Sequence, residues 1–210
     1  RASIDIPTVE MSLLPGSVAY LRILEFKDGT PDEVLDILER FNQLETLGVI
    51  IDLRNNQGGS LEVARKVAGE FLPAGPFIYQ VDSQDLRQDL GIEEAGVLTD
   101  EMAMVVLVNE GTEAAAEAFA AALQGTGGAT VIGVPTMGLG TSNVYIELSN
   151  GSAIYIPVSN WFTPSGASLA GRGVKPDVEA LLSEQDLLLG RDSQLNVAYN
   201  HLDSLLPDFR

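Results

Sequence analysis

The order of apolar runs and helical periodicities along the chain predicts strands that alternate with helices. Thr30 to Glu33 reads as a capping box with Pro31 at the first helical position, and apolar residues then recur at helical spacing until Gly48 closes the helix. The next run, Val49–Leu53, is apolar almost throughout, which is typical of a strand covered on both faces.

The rest of the chain extends this pattern. Further strands are predicted at Ile4–Val9, Val18–Ile23, Phe77–Val81, Met104–Val108 and Ala129–Val134, and further helices at Ser60–Phe71, Thr112–Gln124 and Glu184–Leu205. Asn150-Gly151 predicts a hairpin between Asn143–Leu148 and Ser152–Val158. The acid-rich residues 82–101 are read as a surface loop or a loose helix. Together these elements predict an α/β fold with a largely parallel core sheet.

Charge and composition exclude several classes of function. The 210 residues include 12 Lys and Arg against 30 Asp and Glu, a net charge of −18, which opposes binding to nucleic acid or to anionic membranes. We expect no membrane insertion, because no run approaches the roughly 20 apolar residues that span a bilayer. With no Cys and one His, we expect neither a metal nor a cofactor. The chain begins with Arg1, and we interpret it as part of a longer protein.

Two predicted strand-to-helix turns are the candidates for chemistry. One follows Val49–Leu53 and contains Gly58 and Gly59; the other follows Met104–Val108 and leads into the Ala-rich helix. Helix N-termini present unpaired N–H groups at the carboxyl ends of strands, where open α/β sheets bind ligands. Taken on local pattern alone, both are tight turns of an ordinary fold.

Four blocks in order make the chain resemble a known family. Residues 51–59 (IDLRNNQGG), 106–111 (VLVNEG), 162–166 (FTPSG) and 171–177 (GRGVKPD) are similar to the DLRNNPGG, VNEG, YTPSG and GxGIxPD motifs of the carboxyl-terminal processing peptidases, peptidase family S41. The resemblance covers the chain to about Val178, without the PDZ domain that usually precedes this region in the family.

The resemblance carries expectations about the whole chain. It implies a crotonase/ClpP-like mixed sheet with flanking helices, with residues 1–180 as the S41 peptidase core and residues 181–210 as a C-terminal helical extension packed on it. It implies carboxyl-terminal polypeptide segments as partners and an extracytoplasmic location. A homo-oligomer or a pairing with an active paralogue remains open.

The family's catalytic positions carry the wrong side chains here. Family members use a serine nucleophile, a lysine base and an assisting glutamine, and the motifs place these on Ala114, Leu139 and Asn143. The family's oxyanion hole corresponds to the backbone N–H of Gly58 or Gly59 and that of Ala115. An alanine cannot form an acyl-enzyme and a leucine cannot accept a proton. The chain is therefore expected to be a non-catalytic relative that binds or scaffolds polypeptide.

Three alternatives remain beside that expectation. The fold is shared with carriers of small apolar ligands, and Ala114 and Leu139 would make the former cleft more apolar. An engineered inactivation of an active serine-type endopeptidase would explain Ala114, but not Leu139 and Asn143 together. A relocated site that uses a hydroxyl group of Thr112, Thr141 or Ser142 is disfavoured, since Thr112 is expected to cap its helix. Its base in such a site would be Glu113 or Glu117.

Overall fold

The structure, a computed structural model, describes residues 7–96 and 102–206. Its strands are β1 Val9–Leu14, β2 Val18–Ile23, β3 Gly48–Asp52, β4 Gly75–Asp82, β5 Arg87–Ile92, β6 Ala103–Val108, β7 Thr130–Gly133, β8 Thr141–Glu147, β9 Ala153–Phe162 and β10 Val178–Glu179. Its helices are α1 Thr30–Gln43, α2 Leu61–Gly69, α3 Ala115–Gly125, α4 Glu184–Leu188 and α5 Ser193–Leu205.

A six-stranded sheet forms the centre of the molecule. Its order is β1-β2-β3-β6-β7-β10, with β1 antiparallel and the other strands parallel. Alternate residues of β3 serve the two faces: Ile51 packs in a cluster with Phe41 of α1 and Phe119 of α3, whereas Ile50 packs with Leu202 of α5. The predicted mixed α/β sheet with flanking helices is confirmed.

A second sheet holds the order β5-β4-β9-β8. The predicted hairpin is confirmed, with Gly151 in its turn at a φ of 79°. The predicted irregularity of residues 82–101 is wrong for β5, which pairs antiparallel with β4; residues 97–101 lie outside the described part. The strand has no alternating hydrophobic pattern, because the first half of β5, Arg87 to Asp89, is polar and exposed.

The first strand also differs from the prediction. Residues 4–6 of the predicted strand Ile4–Val9 lie outside the described residues, and β1 begins at Val9 and continues to Leu14. Its register is fixed by the turn into β2, where Gly16 and Ser17 adopt positive φ angles of 71° and 57°. The turn type and loop length fix the register of a hairpin, even where the strands lack a regular alternation of apolar and polar residues.

The predicted capping box of α1 is not formed. Gly29 is the N-cap, and the Thr30 hydroxyl accepts a bond from the Lys27 N–H at 2.9 Å. Glu33 instead accepts from the Thr8 N–H at 2.8 Å, which ties the start of the chain to the helix. Gly48 opens β3 and does not close α1, which ends at Gln43.

Two other predicted helix boundaries are wrong. The helix expected from Thr112 begins at Ala115, because the Thr112 hydroxyl is buried and donates to the Leu53 carbonyl at 2.9 Å. The helix predicted over Glu184–Leu205 is broken at Gly190, whose φ is 62°. Asp192 then caps α5 by accepting from the Leu195 N–H at 2.9 Å.

Candidate active site

Two loops meet where β3 and β6 end. The strands are parallel and adjacent, with Asp52 opposite Leu107, so both loops leave the same edge of the sheet. The Asn55 N–H donates to Asn109 Oδ1 at 2.9 Å, and Asn109 Nδ2 donates back to Asn55 Oδ1 at 3.0 Å. This reciprocal amide pair holds the first motif against the second.

Gly58 and Gly59 lie between these loops and have φ angles of 91° and 117°. A Cβ on Gly59 would approach the Phe26 carbonyl oxygen to 2.3 Å, because Phe26 forms a bridge with this segment. A Cβ on Gly58 would come within 2.9 Å of the Ala115 nitrogen and 3.0 Å of the Ala114 methyl group. Gly58 is therefore packed directly against Ala114 and Ala115, at a point that only a residue without a side chain fits.

Ala114 is the N-cap of α3 in an unusual backbone conformation. Its φ of 47° and ψ of −115° lie outside the regions that L-residues prefer. Non-glycine residues in such conformations cluster at functional sites. The Ala114 N–H donates to Glu117 Oε2 at 3.0 Å. The strained turn places Ala114 at the positive end of the α3 dipole.

Leu139 lies beside Ala114 because both loops bind the same carboxylate. Glu117, fully buried, accepts from the Leu139 N–H at 2.7 Å on the oxygen that Ala114 also binds. Its other oxygen accepts from the Gly138 N–H at 2.7 Å and from the Thr136 hydroxyl. The Leu139 side chain is 47% exposed, so its isobutyl group borders the solvent-accessible side of this junction.

The sequence-predicted residues are thus only partly brought together. Gly58, Ala114, Ala115 and Leu139 share one region, and Gly59 is held next to Gly58 by Phe26. Asn143 is exposed on β8, and its amide makes only long bonds of 3.3 and 3.4 Å to Thr141. The hydrogen bonds of the described residues do not connect Asn143 to the other positions.

The most connected residue of the site is one that sequence reasoning named only as a spare base. Glu117 joins the two loops, and Thr136 supports it by accepting from the Val174 N–H at 2.7 Å. An acid in the first turn of an otherwise apolar helix was the available signal for Glu117. Thr136 carries no comparable signal, because its partners lie 19 and 38 residues away.

The spare hydroxyl groups near the site are already engaged. Besides donating to Leu53, the Thr112 hydroxyl accepts from the Asn109 N–H at 3.1 Å. The Ser142 hydroxyl donates to Gln80 Oε1 at 2.9 Å and accepts from Trp161 Nε1 at 2.8 Å. Neither hydroxyl lies within hydrogen-bond distance of a basic side chain in the described structure, so neither forms a nucleophile–base pair.

A charged network braces the back of the β3 loop. Arg54 donates from Nη2 to the buried Asp52 at 2.6 Å and to Asp192 at 2.7 Å, and the Tyr20 hydroxyl donates to Asp52 at 2.7 Å. Burial on its own lowers the pKa of the Arg54 guanidinium, but its bonds to the two carboxylates raise that pKa above its usual value. Burial and the charge of Asp52 likewise raise the pKa of the Tyr20 phenol.

Asp192 makes this brace dependent on pH. Burial is the largest single influence and raises the pKa of Asp192, but the hydrogen bond and charge of Arg54, together with the backbone N–H groups of Leu195 and Gln194, outweigh it and leave the pKa below its usual value. The stabilisation is then complete above the unfolded pKa of about 3.9 and is lost as the pH falls through the lower folded value. We expect the unfolding free energy of the wild type to fall more steeply below about pH 4 than that of Asp192→Asn. Urea unfolding across this range measures the difference.

The exposed Asp203 on α5 supplies the control for this titration. Asp203→Asn removes one carboxylate from the same helix without touching Arg54. Its stability should follow the wild-type curve. Equal pH dependence of the wild type and Asp192→Asn would contradict the coupling.

The described residues 7–96 and 102–206 contain no group of three or more His, Asp or Glu side chains positioned to hold a metal ion. None of the helices within these ranges has the length and apolar character needed to cross a bilayer.

Comparisons with known proteins agree with the motifs. The model of peptidase family S41 matches residues 17–180. The carboxy-terminal processing protease CtpA of Bacillus subtilis is 32% identical over 88% of this chain, and the carboxyl-terminal-processing protease of Synechocystis is 33% identical over 90% of it. The chain spans 39% and 44% of the lengths of these two relatives.

A solved structure shows the same architecture. The photosystem II D1 C-terminal processing protease superposes with a TM-score of 0.76 at 27% identity, over 86% of this chain and 50% of that one. The match of the family model to most of the chain, together with these relatives, identifies the family. The chain belongs to peptidase family S41.

Proposed function

We propose that this chain is a non-catalytic S41 domain that binds carboxyl-terminal polypeptide segments. The observation that carries the proposal is the pairing of Ala114 with Leu139 through Glu117. By motif, these positions correspond to the family's nucleophile and base. The buried carboxylate still supports both loops, while the two side chains that would react are hydrocarbons.

The missing groups are sufficient to abolish acyl transfer. A serine peptidase mechanism needs an oxygen nucleophile and a base within hydrogen-bond distance of it. Removing only the nucleophile of the serine protease subtilisin lowers its catalytic rate by about 10⁶-fold, which sets the scale of the expected loss. Backbone donors that remain cannot replace that step, because they stabilise an oxyanion that is no longer formed.

Binding, unlike cleavage, depends on features that survive these substitutions. Gly58 lies next to the Ala115 nitrogen at the start of α3, and a backbone donor at that nitrogen does not depend on any side chain. A peptide carbonyl placed there would accept from the same kind of donor that an oxyanion hole provides. The two relatives are named as carboxyl-terminal processing proteases. Their names support carboxyl-terminal polypeptide segments as the ligands of this chain.

Two further parts of the proposal concern the chain as a whole. We propose a core at residues 1–180 and a C-terminal extension at 181–210, supported by the packing of Ala198 and Leu202 against Ile50 and Leu107 of the sheet. We also propose an extracytoplasmic location, which rests on the family resemblance. Fractionation of the source cells with an antibody against the domain tests the location.

Peptide binding is tested by calorimetry with a library of carboxyl-terminal peptides. The wild type should bind at least one such peptide, and amidation of the peptide's C-terminus should weaken the binding. Gly58→Ala should reduce binding at least tenfold, because its Cβ, at a φ of 91°, would come within 2.9 Å of the Ala115 nitrogen and displace that donor. Gly151→Ala, in the distant hairpin turn with no atom within 4 Å of the new Cβ, is the control. Absence of heat with every peptide would contradict the proposal.

The assignment of the catalytic positions is tested by restoring them. Ala114→Ser with Leu139→Lys, and Asn143→Gln added in a triple variant, should cleave an unfolded protein at least about 10²-fold faster than the unmodified chain. Ala114→Ser alone is the matched control, because its serine lacks a base. Folded variants that never gain cleavage would contradict the assignment of these positions.

A further inference from the structure

The hairpin β8–β9 presents an aliphatic face to solvent. Its register places Val144 opposite Ile156 and Ile146 opposite Ile154, and cross-strand partners share a face of the sheet. These four side chains are between 41% and 44% exposed. We call this set the aliphatic face. An antiparallel sheet normally packs its apolar face against other protein, so this face lacks the cover that its composition predicts.

The two faces of the hairpin have different chemistry. Tyr145 and Tyr155 pair on the opposite face with ring centroids 5.2 Å apart, and Tyr155 is 71% exposed. Glu147 and Asn143 share the parity of Tyr145 along β8. The branched aliphatic residues are thus sorted to one side, a distribution that arises when that side is covered.

The charge distribution favours one kind of cover. Residues 118–171 contain a single charged residue, Glu147, whereas 20% of the whole chain is charged and its net charge is −18. Two copies of so acidic a chain repel one another across most of their surfaces. The hairpin lies within the long segment in which that repulsion is least, and a basic partner would find no acidic cluster on it.

We propose that the aliphatic face is a homodimer interface in which the hairpins of two copies pack face to face about a two-fold axis. A two-fold contact requires a patch that complements itself, and an uncharged, uniformly aliphatic surface meets that requirement. The two hairpins would lie about 10 Å apart, as packed sheets do. β8 is about 24 Å long at roughly 3.4 Å per residue, so each copy buries less than the roughly 800 Å² of a standard interface. We therefore expect a weak dimer, which forms only at high protein concentration.

Sedimentation velocity over a range of concentrations tests the dimer. The wild type should shift towards twice the mass of one chain as its concentration rises. Ile154→Glu should raise the dissociation constant at least about tenfold, because the interface would desolvate an unpaired carboxylate. Tyr155→Glu adds the same charge at the neighbouring, more exposed position on the opposite face and should leave the dissociation constant unchanged.

The dependence of the dissociation constant on salt distinguishes an aliphatic interface from one held by ion pairs. Because screening weakens the repulsion between two acidic copies, added salt should tighten the dimer. A wild type that stays monomeric at every concentration would overturn the proposal. So would a dimer that Tyr155→Glu disrupts and Ile154→Glu does not. Both substituted positions are exposed in the monomer, so both variants should fold. Thermal unfolding of each variant checks this.

Discussion

Glu117→Ala should be among the most destabilising single substitutions in this chain, with a loss of about 4 kcal/mol or more in the free energy of unfolding. The Glu117 carboxylate is fully buried and accepts from three backbone N–H groups and the Thr136 hydroxyl. Alanine would leave those donors without partners and would add a cavity. Urea unfolding followed by circular dichroism measures the loss.

Two further substitutions distinguish the loss of the carboxylate's hydrogen bonds from the loss of side-chain volume. Glu117→Gln keeps the size of the side chain but replaces one carboxylate oxygen with an NH₂ group, which faces donors that the oxygen had accepted from. The free energy of unfolding should therefore fall by about 2 kcal/mol. Glu110→Ala removes an exposed acid from the neighbouring turn and should leave the unfolding free energy unchanged. Hydrogen exchange at the Gly138 and Leu139 amides should quicken in Glu117→Gln. Unchanged exchange there would show that Glu117 does not hold the two loops together.

Arg54→Met should cost about 3–5 kcal/mol of folding stability. The substitution keeps an apolar stem of similar length but leaves Asp52, 1% exposed, with the Tyr20 hydroxyl as its remaining side-chain partner. It also frees Asp192 at the start of α5, so the helix that covers one face of the sheet should loosen first. Chemical denaturation gives the total loss, and hydrogen exchange along α5 gives its location.

A second substitution tests whether the cost comes from the buried charge. Asp52→Asn added to Arg54→Met removes the uncompensated carboxylate, and the double variant should be more stable than Arg54→Met alone. Arg87→Met, at an exposed ion pair with Asp89, is the control and should change stability little. If the double variant is no more stable than Arg54→Met, the lost stability comes from packing and not from the buried charge.

The sequence predicted the parts of the fold that depend on local patterns. Continuous apolar runs such as Val49–Leu53 mark strands buried on both faces, and the structure places that run in the middle of a parallel sheet. Asn150-Gly151 marks its hairpin because the turn needs one residue that accepts a positive φ, and Gly151 supplies it. The proximity of the Gly58 turn to the Ala114 turn followed from the family resemblance alone, and the structure brings the turns together because β3 and β6 are parallel neighbours that end at the same edge.

What the sequence did not predict depends on contacts between distant segments. Thr112 resembles a helix cap, yet its hydroxyl serves a carbonyl 59 residues away, and the cap falls on Ala114. Glu117 and Thr136 meet across 19 residues, and Arg54 reaches Asp192 across 138. No periodicity records such pairs. The exposed strand β5 was missed for a different reason: its pairing with β4 satisfies backbone groups without burying an apolar pattern.

We propose that the frame of an S41 site persists here without the groups that cut peptide bonds. The most direct test is a cleavage assay of the purified, unmodified chain on an unfolded protein and on carboxyl-terminal peptides, with products identified by mass spectrometry. We predict no product above a blank that lacks the chain, and products only after Ala114→Ser and Leu139→Lys are introduced. Cleavage by the unmodified chain that co-elutes with it and disappears in a folded Gly58→Ala variant would contradict the account.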